Sequence, residues 1–157
     1  MDLLDLKHKV CLITGASRGI GLEIAHLFAK QNAKVIICGS DYENISNSGI
    51  ALQKEFGESN IKYFKCDVSD ESDVKNLFQN IFKLPEKRLD AMICNAGVLD
   101  DALIGMVSKN QIEKVFSINT YGILFCSQYA SRLMSRNEEG GSIVNISSII
   151  GTHGNIG

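Results

Sequence analysis

Thr14-Gly15-Ala16-Ser17-Arg18-Gly19-Ile20-Gly21 is the stretch on which the fold turns. It follows the apolar run Val10-Cys11-Leu12-Ile13 and leads into Ile20, Ile24, Leu27 and Phe28, spaced i, i+4, i+7 and i+8 as on one helix face. A strand therefore passes directly into a helix through a G-x-x-x-G-x-G turn. Gly15 can make the tight bend, Gly19 can let the backbone approach a bound diphosphate, and Gly21 can let helix and strand pack closely. Free amides at the helix start would then face the anion. Packing alone could also require these glycines, so the turn gains meaning only from the rest of the chain. It lacks the Gly-Lys-Ser/Thr ending of a P-loop, which disfavours nucleoside triphosphate chemistry.

Outward from this turn, apolar runs and helical stripes alternate. Cys11, Cys38, Cys66 and Cys94 stand 27, 28 and 28 residues apart, each in a short apolar run. That interval is about one strand plus one returning helix. With Cys126 the five thiols show no C-x-x-C or Cys/His metal spacing, and they read as reduced, buried small hydrophobes. The pattern predicts strands near 10–14, 34–38, 61–66, 90–94 and 142–147. Helices are predicted near 19–31, 43–56 and 70–83, the last starting after Ser69 with acids in its first turn. A long helix, with room for a kink, runs from Ser108 towards Met134, and Ser108 with Gln111 reads as its capping box. Alternating strands and helices with doubly apolar strands predict an α/β fold, a doubly wound parallel sheet covered on both faces.

Composition bounds the function. The chain has 157 residues, 45% hydrophobic and 22% charged, which fits one domain over 1–157. Sixteen Lys and Arg against eighteen Asp and Glu give a net charge of -2, so neither nucleic acid nor a membrane surface is expected as partner. No apolar run approaches the ~18 residues of a membrane span, and Met1 to Lys9 is charged rather than signal-like, so a cytoplasmic location is expected. His8, His26 and His153 lack partners spaced for a metal and read as structural or solvated.

Four motifs in order resemble the short-chain dehydrogenases/reductases. The turn 14–21 is similar to that family's cofactor fingerprint, and Asn95-Ala96-Gly97 to its second motif. Asn119 in Ser117-Ile118-Asn119-Thr120 is similar to its helix asparagine, and Ile143-Val144-Asn145-Ile146-Ser147-Ser148 to the strand bearing its catalytic serine. The likeness runs from about Lys7 to the last residue, and the tail 148–157 is most similar to the 3-oxoacyl-[acyl-carrier-protein] reductase branch. The resemblance implies a Rossmann-type sheet, here truncated after its fifth strand. It also implies an NAD(P) cofactor, no metal, and hydride transfer to a ketone such as a 3-oxoacyl thioester of fatty acid biosynthesis. The substrate partner would be a small-molecule or acyl-carrier-linked carbonyl. Homo-oligomers are implied for a full-length relative but are doubtful for this chain.

By the same resemblance Ser148 would bond the substrate carbonyl oxygen and Asn119 would hold a water of the proton relay. Gly15, Ser17, Arg18, Gly19, Ile20 and Gly21 would surround the diphosphate. Asp67 and Val68 would border the adenine, and Asn95, Ala96 and Gly97 the ribose. An Asn that merely interrupts a helix, and an Asp that merely starts one, are the alternatives for Asn119 and Asp67. NADP is favoured over NAD because Gly39 occupies the family's usual acidic position, while Ser40 and Arg18 can bond a 2′-phosphate. Such charge-assisted bonds contribute ~1.5–3 kcal/mol, a roughly tenfold to hundredfold preference. Asp41 is the counter-evidence, since a small turn of the chain could bring it to the ribose. The family's Tyr-x-x-x-Lys would fall just beyond Gly157, and Tyr42, Tyr63, Tyr121 and Tyr129 have no lysine four residues on. The expectation is an amino-terminal part that is inactive as written. A non-catalytic dinucleotide-binding module and a truncated gene product are the alternatives.

Overall fold

A computed structural model describes residues 5–154, so the tail match over 155–157 lies outside the described residues. The elements run β1 Val10–Thr14, α1 Gly19–Lys30, β2 Lys34–Gly39, α2 Tyr42–Phe56, β3 Ile61–Lys65, α3 Glu71–Lys83 and β4 Ala91–Cys94. Then follow α4 Lys109–Phe116, a π-helical turn Ser117–Tyr121, α5 Gly122–Met134, β5 Ser142–Asn145 and a short α6 Ile150–His153. The five strands form one parallel sheet in the order β3-β2-β1-β4-β5. The order reverses beside β1, which is where doubly wound sheets bind ligands, at the carboxyl ends of the strands.

Alternation along β1 divides the core in two. Cys11 and Ile13 pack with Ala25 and Ala29 of α1 and Ile45 and Leu52 of α2. Leu12 faces the other way, with Ile36, Met92, and Val74, Leu77 and Ile81 of α3, and with Ala130 and Leu133 of α5. Two residues of opposite facing on one strand thus fix which helices cover which side. Both edges are less covered. β3 buries only Ile61, and every residue of β5 is exposed.

All five thiols are free and buried. Burial pushes Cys11 up to about 12 and also raises Cys94 and Cys126. A hydrogen bond with Cys66, together with burial, raises Cys38. These are inert core thiols, since reactivity needs the thiolate.

Most element ends fall within one residue of expectation, and two readings are corrected. β5 ends at Asn145 rather than at 147, because its last main-chain bond is Ile146 N–H to the Cys94 carbonyl, where β4 itself ends. The cap of α3 is Asp70, whose carboxylate accepts from Ser72 N–H at 2.7 Å, while Ser69 donates to Asp67. The long helix runs on from α4 to α5 through the π-helical turn that holds Asn119. Among the described residues no helix is long and apolar enough to cross a membrane.

Candidate functional site

The glycine-rich turn and the end of β4 are tied into one unit by Thr14. Its side chain is 1% exposed, and Oγ1 accepts from the N–H groups of Asn95 and Ala96, both at 3.1 Å. Asn95 answers by donating Nδ2 to the carbonyls of Thr14 (2.9 Å) and Gly15 (3.2 Å). Gly15 and Gly19 both have left-handed backbones, φ +63° and +59°. A Cβ on Gly15 would meet the Ala96 Cα at 2.7 Å, and one on Gly21 would meet Asn95 Nδ2 at 2.5 Å. The chain closes here only because those side chains are missing.

The turn is also held from β2 and α2. Ala16 N–H donates to the Cys38 carbonyl at 3.1 Å, and Ser48 Oγ donates to the Ser17 carbonyl at 2.7 Å. Supported on three sides, it delivers α1 with an open N-terminus. Arg18 is the cap residue, makes no side-chain capping bond, and no acid follows in the first turn. By contrast α2, α3 and α4 are capped by Asp41, Asp70 and Ser108, the last in the expected capping box with Gln111. The first amides of a helix need partners, and a bound anion can supply them.

Above this N-terminus lies a cavity of about 520 Å³. Gly15, Ser17, Arg18, Gly19, Ile20, Ser40, Asp67, Val68, Asn95, Ala96 and Gly97 all line it. Of the cofactor-side residues singled out from the sequence only Gly21 is absent, because it lies buried behind the turn against Asn95. Gly39, at the end of β2, also lines the cavity beside Ser40, and a Cβ there would touch Ile45 and Ser17 Oγ at 3.6 Å. Asp41 points its Oδ1 at Asn44 N–H, 2.8 Å away, and so is held as the cap of α2. Asp67 Oδ1 accepts from Ser69 N–H and Oγ at 3.0 and 2.7 Å, an Asx turn that keeps Asp67 at the cavity wall without starting a helix.

Asn119 and Ser148 do not line this cavity. Asn119 clamps the backbone of Val98, accepting from its N–H at 2.9 Å and donating to its carbonyl at 2.8 Å. The π-helical turn carries Asn119 to that strand extension, where its Oδ1 would stand 3.5 Å from a Cβ on Gly97. Ser148 is exposed three residues past Asn145, which pairs with Cys94. Its Oγ accepts from Ile150 N–H at 3.3 Å. Val98, Ile118, Thr14 and Ser48 escaped the sequence reading; only Thr14, a polar residue ending an apolar strand, carried a local signal. Among the described residues no group of three or more His, Cys, Asp or Glu could hold a metal ion.

The family model for short chain dehydrogenases matches residues 9–157. The chain is 36% identical over 155 residues to the 3-oxoacyl-[acyl-carrier-protein] reductase FabG of Rickettsia conorii, a match covering 99% of this chain and 60% of that protein. It is 34% identical over 151 residues to the galactitol 2-dehydrogenase of Agrobacterium fabrum, covering 96% and 57%. A solved structure from Sinorhizobium meliloti, described as a short-chain alcohol dehydrogenase, superposes with a TM-score of 0.87 at 29% identity, over 97% of this chain and 59% of that one. The chain thus spans about three fifths of the length of these relatives.

Proposed function

The chain belongs to the short chain dehydrogenase family, and from that premise we propose that it forms the cofactor half of an NADP-dependent oxidoreductase acting on a ketone such as a 3-oxoacyl thioester. The observation that carries this is the uncapped N-terminus of α1 opening into a 520 Å³ cavity. The residues fit a dinucleotide: amides from Gly19 onward for the diphosphate, Asp67 and Val68 for the adenine, Asn95 to Gly97 for the ribose. When bound, the nicotinamide ring supplies the hydride. The protein's part is to place that ring and to handle the proton.

NADP is preferred to NAD on three grounds. Gly39 offers no carboxylate to the ribose hydroxyls. Ser40 and Arg18 both line the cavity, and among the described residues no acid pairs with Arg18. Asp41, the residue that would argue for NAD, is committed to the cap of α2.

Ser148 is assigned to the substrate carbonyl oxygen and Asn119 to a water on the proton path, with its clamp on Val98 fixing where that water stands. The substrate carbonyl would arrive free or linked to an acyl carrier, as the name of the Rickettsia relative indicates for that protein. No tyrosine followed four residues on by lysine occurs in these 157 residues. This polypeptide alone should therefore bind cofactor while lacking the roughly 10²–10⁴-fold that a positioned proton donor contributes.

Calorimetric titration with NADPH and NADH tests the proposal. NADPH should bind roughly tenfold or more tightly, and Arg18→Ala should weaken NADPH more than NADH, lowering that preference. Equal affinities would remove the NADP assignment, and no binding of either nucleotide would remove the cofactor-half assignment itself.

A further inference from the structure

On the α3/α5 face of the sheet, away from the cofactor cavity, a groove of about 370 Å³ separates the two helices. Its floor is aromatic. Phe78 stacks on Tyr129 with ring centroids 5.8 Å apart, and Phe82 lies beside them 45% exposed. Its walls are cationic, with Lys75 and Lys83 from α3 and Arg132 and Arg136 from α5 and the residues just after it. No carboxylate lines the groove, and none of the four cations makes an ion pair among the described residues. Glu71, at the start of α3, accepts from Tyr129 Oη at 3.3 Å, and Arg136 also borders a second hollow, lined by Glu86, Glu138 and Glu139, without pairing with any of them. In a chain of net charge -2, four unpaired cations on one apolar groove are a local excess that general solubility does not require.

Helix ends account for part of the charge, since Lys83 and Arg132 lie in last turns where cations meet the helix dipole. They do not account for Lys75, one turn into α3, nor for the arrangement of the arginines. Arg132 lies 5.3 Å from the Tyr129 ring centroid and Arg136 5.1 Å from that of Phe82. Stacking holds both guanidinium groups beside the groove, which lowers the entropy lost when they bind a carboxylate.

We propose that this groove docks an acidic amphipathic helix of a partner protein, with apolar side chains over Phe78 and Phe82 and carboxylates against Lys75, Lys83, Arg132 and Arg136. The spread of charge selects a helix over a small anion. Lys75 and Lys83 are eight residues apart, about 12 Å along α3, too far for one carboxylate or phosphate to bridge but matched to acids about two turns apart on a facing helix. The apolar strip between the cation rows takes that helix's hydrophobic stripe.

The test uses the whole chain and a fluorescein-labelled helical peptide of roughly 20 residues, long enough to hold helix, with leucines at i, i+4 and i+7 flanked by glutamates. A second peptide has every glutamate replaced by glutamine. Fluorescence anisotropy should show saturable binding of the acidic peptide, weakened by salt, and roughly tenfold weaker binding to Arg132→Glu/Arg136→Glu. Because Lys75 and Lys83 are exposed, Lys75→Glu/Lys83→Glu gives the same reading should the arginine pair fail to fold. Lys30→Glu/Lys54→Glu, on the opposite face of the sheet, should bind as the unaltered chain does. Equal affinity for the glutamine peptide, equal loss in the opposite-face variant, or displacement of the peptide by a single-stranded oligonucleotide of lower dissociation constant would each overturn the proposal.

Discussion

Replacing Gly21 and Gly19 separately by alanine divides packing from binding within one turn. A Cβ at Gly21 would stand 2.5 Å from Asn95 Nδ2, 2.7 Å from the Gly15 carbonyl oxygen and 3.0 Å from the Ala16 Cα. Two of those three atoms are backbone and cannot rotate away. Overpacking of this kind costs about 1–3 kcal/mol. Pushing Asn95 aside also loses its bonds to Thr14 and Gly15, at roughly 0.5–1.5 kcal/mol each. Alanine returns about 1 kcal/mol of helix propensity. The net loss for Gly21→Ala is therefore roughly 1–5 kcal/mol, and at about 2–4 °C per kcal/mol the Tm falls by several degrees or more. Gly19 differs, because its Cβ would meet nothing within 4 Å, although its φ of +59° is left-handed. Gly19→Ala costs only the roughly 1–2 kcal/mol of that backbone. Its methyl, however, projects into the space assigned to the diphosphate. Thermal melts with and without NADPH should show Gly21→Ala destabilised in both conditions. Gly19→Ala should be nearer to the unaltered chain when free but should have lost most of the stabilisation by nucleotide. If Gly19→Ala kept its full NADPH-dependent shift, the diphosphate would not lie where the turn places it.

Asn119→Ala removes both bonds to Val98 and should cost roughly 1–3 kcal/mol in urea unfolding; an unchanged midpoint would mean that the π-helical turn does not depend on this clamp. Asp41→Ala should cost about 1 kcal/mol through the lost cap of α2 and leave the ratio of NADPH to NADH affinity unchanged, whereas a rise in that ratio would show Asp41 reaching the ribose. Cys11 holds its proton up to about 12 in the fold against 9.0 as the ordinary value, so the folded form binds more protons across that window. Stability from this group is complete below pH 9 and is lost as pH rises towards 12, by up to roughly 4 kcal/mol at 1.36 kcal/mol per unit. Urea midpoints should fall across that range and less steeply in Cys11→Ala, and parallel slopes would contradict the assignment.

The fold was legible because its strongest signals are local. The glycine turn, the stripe Val74, Leu77, Phe78, Ile81 and the Ser108-Gln111 box each act within a few turns of chain, the cysteine interval repeats once per strand and helix, and the elements fall within a few residues of expectation. The cofactor-side positions singled out from the sequence meet round one cavity, but the network that holds them there was not legible. Nothing near Thr14 in sequence says that its hydroxyl joins two strand ends 81 residues apart, or that Ser48 reaches the Ser17 carbonyl. Asp41 shows why local context was insufficient. The same carboxylate could serve a ribose or a helix cap, and only the position of the Asn44 amide decides between them. The π-helical turn in the long helix brings Asn119 to Val98, a contact that no local pattern in the sequence shows. The cationic groove was invisible for the same reason, because it exists only once α3 lies against α5.

The most direct measurement is an amide proton–nitrogen correlation spectrum of the chain titrated with NADPH. The Gly19 and Ile20 amides, which open α1 into the cavity, should move furthest downfield as hydrogen bonds to phosphate form, with Ser40 shifting further with NADPH than with NADH. Saturating NADPH that left the Gly19 and Ile20 resonances in place, while perturbing residues elsewhere, would contradict this placement of the phosphate.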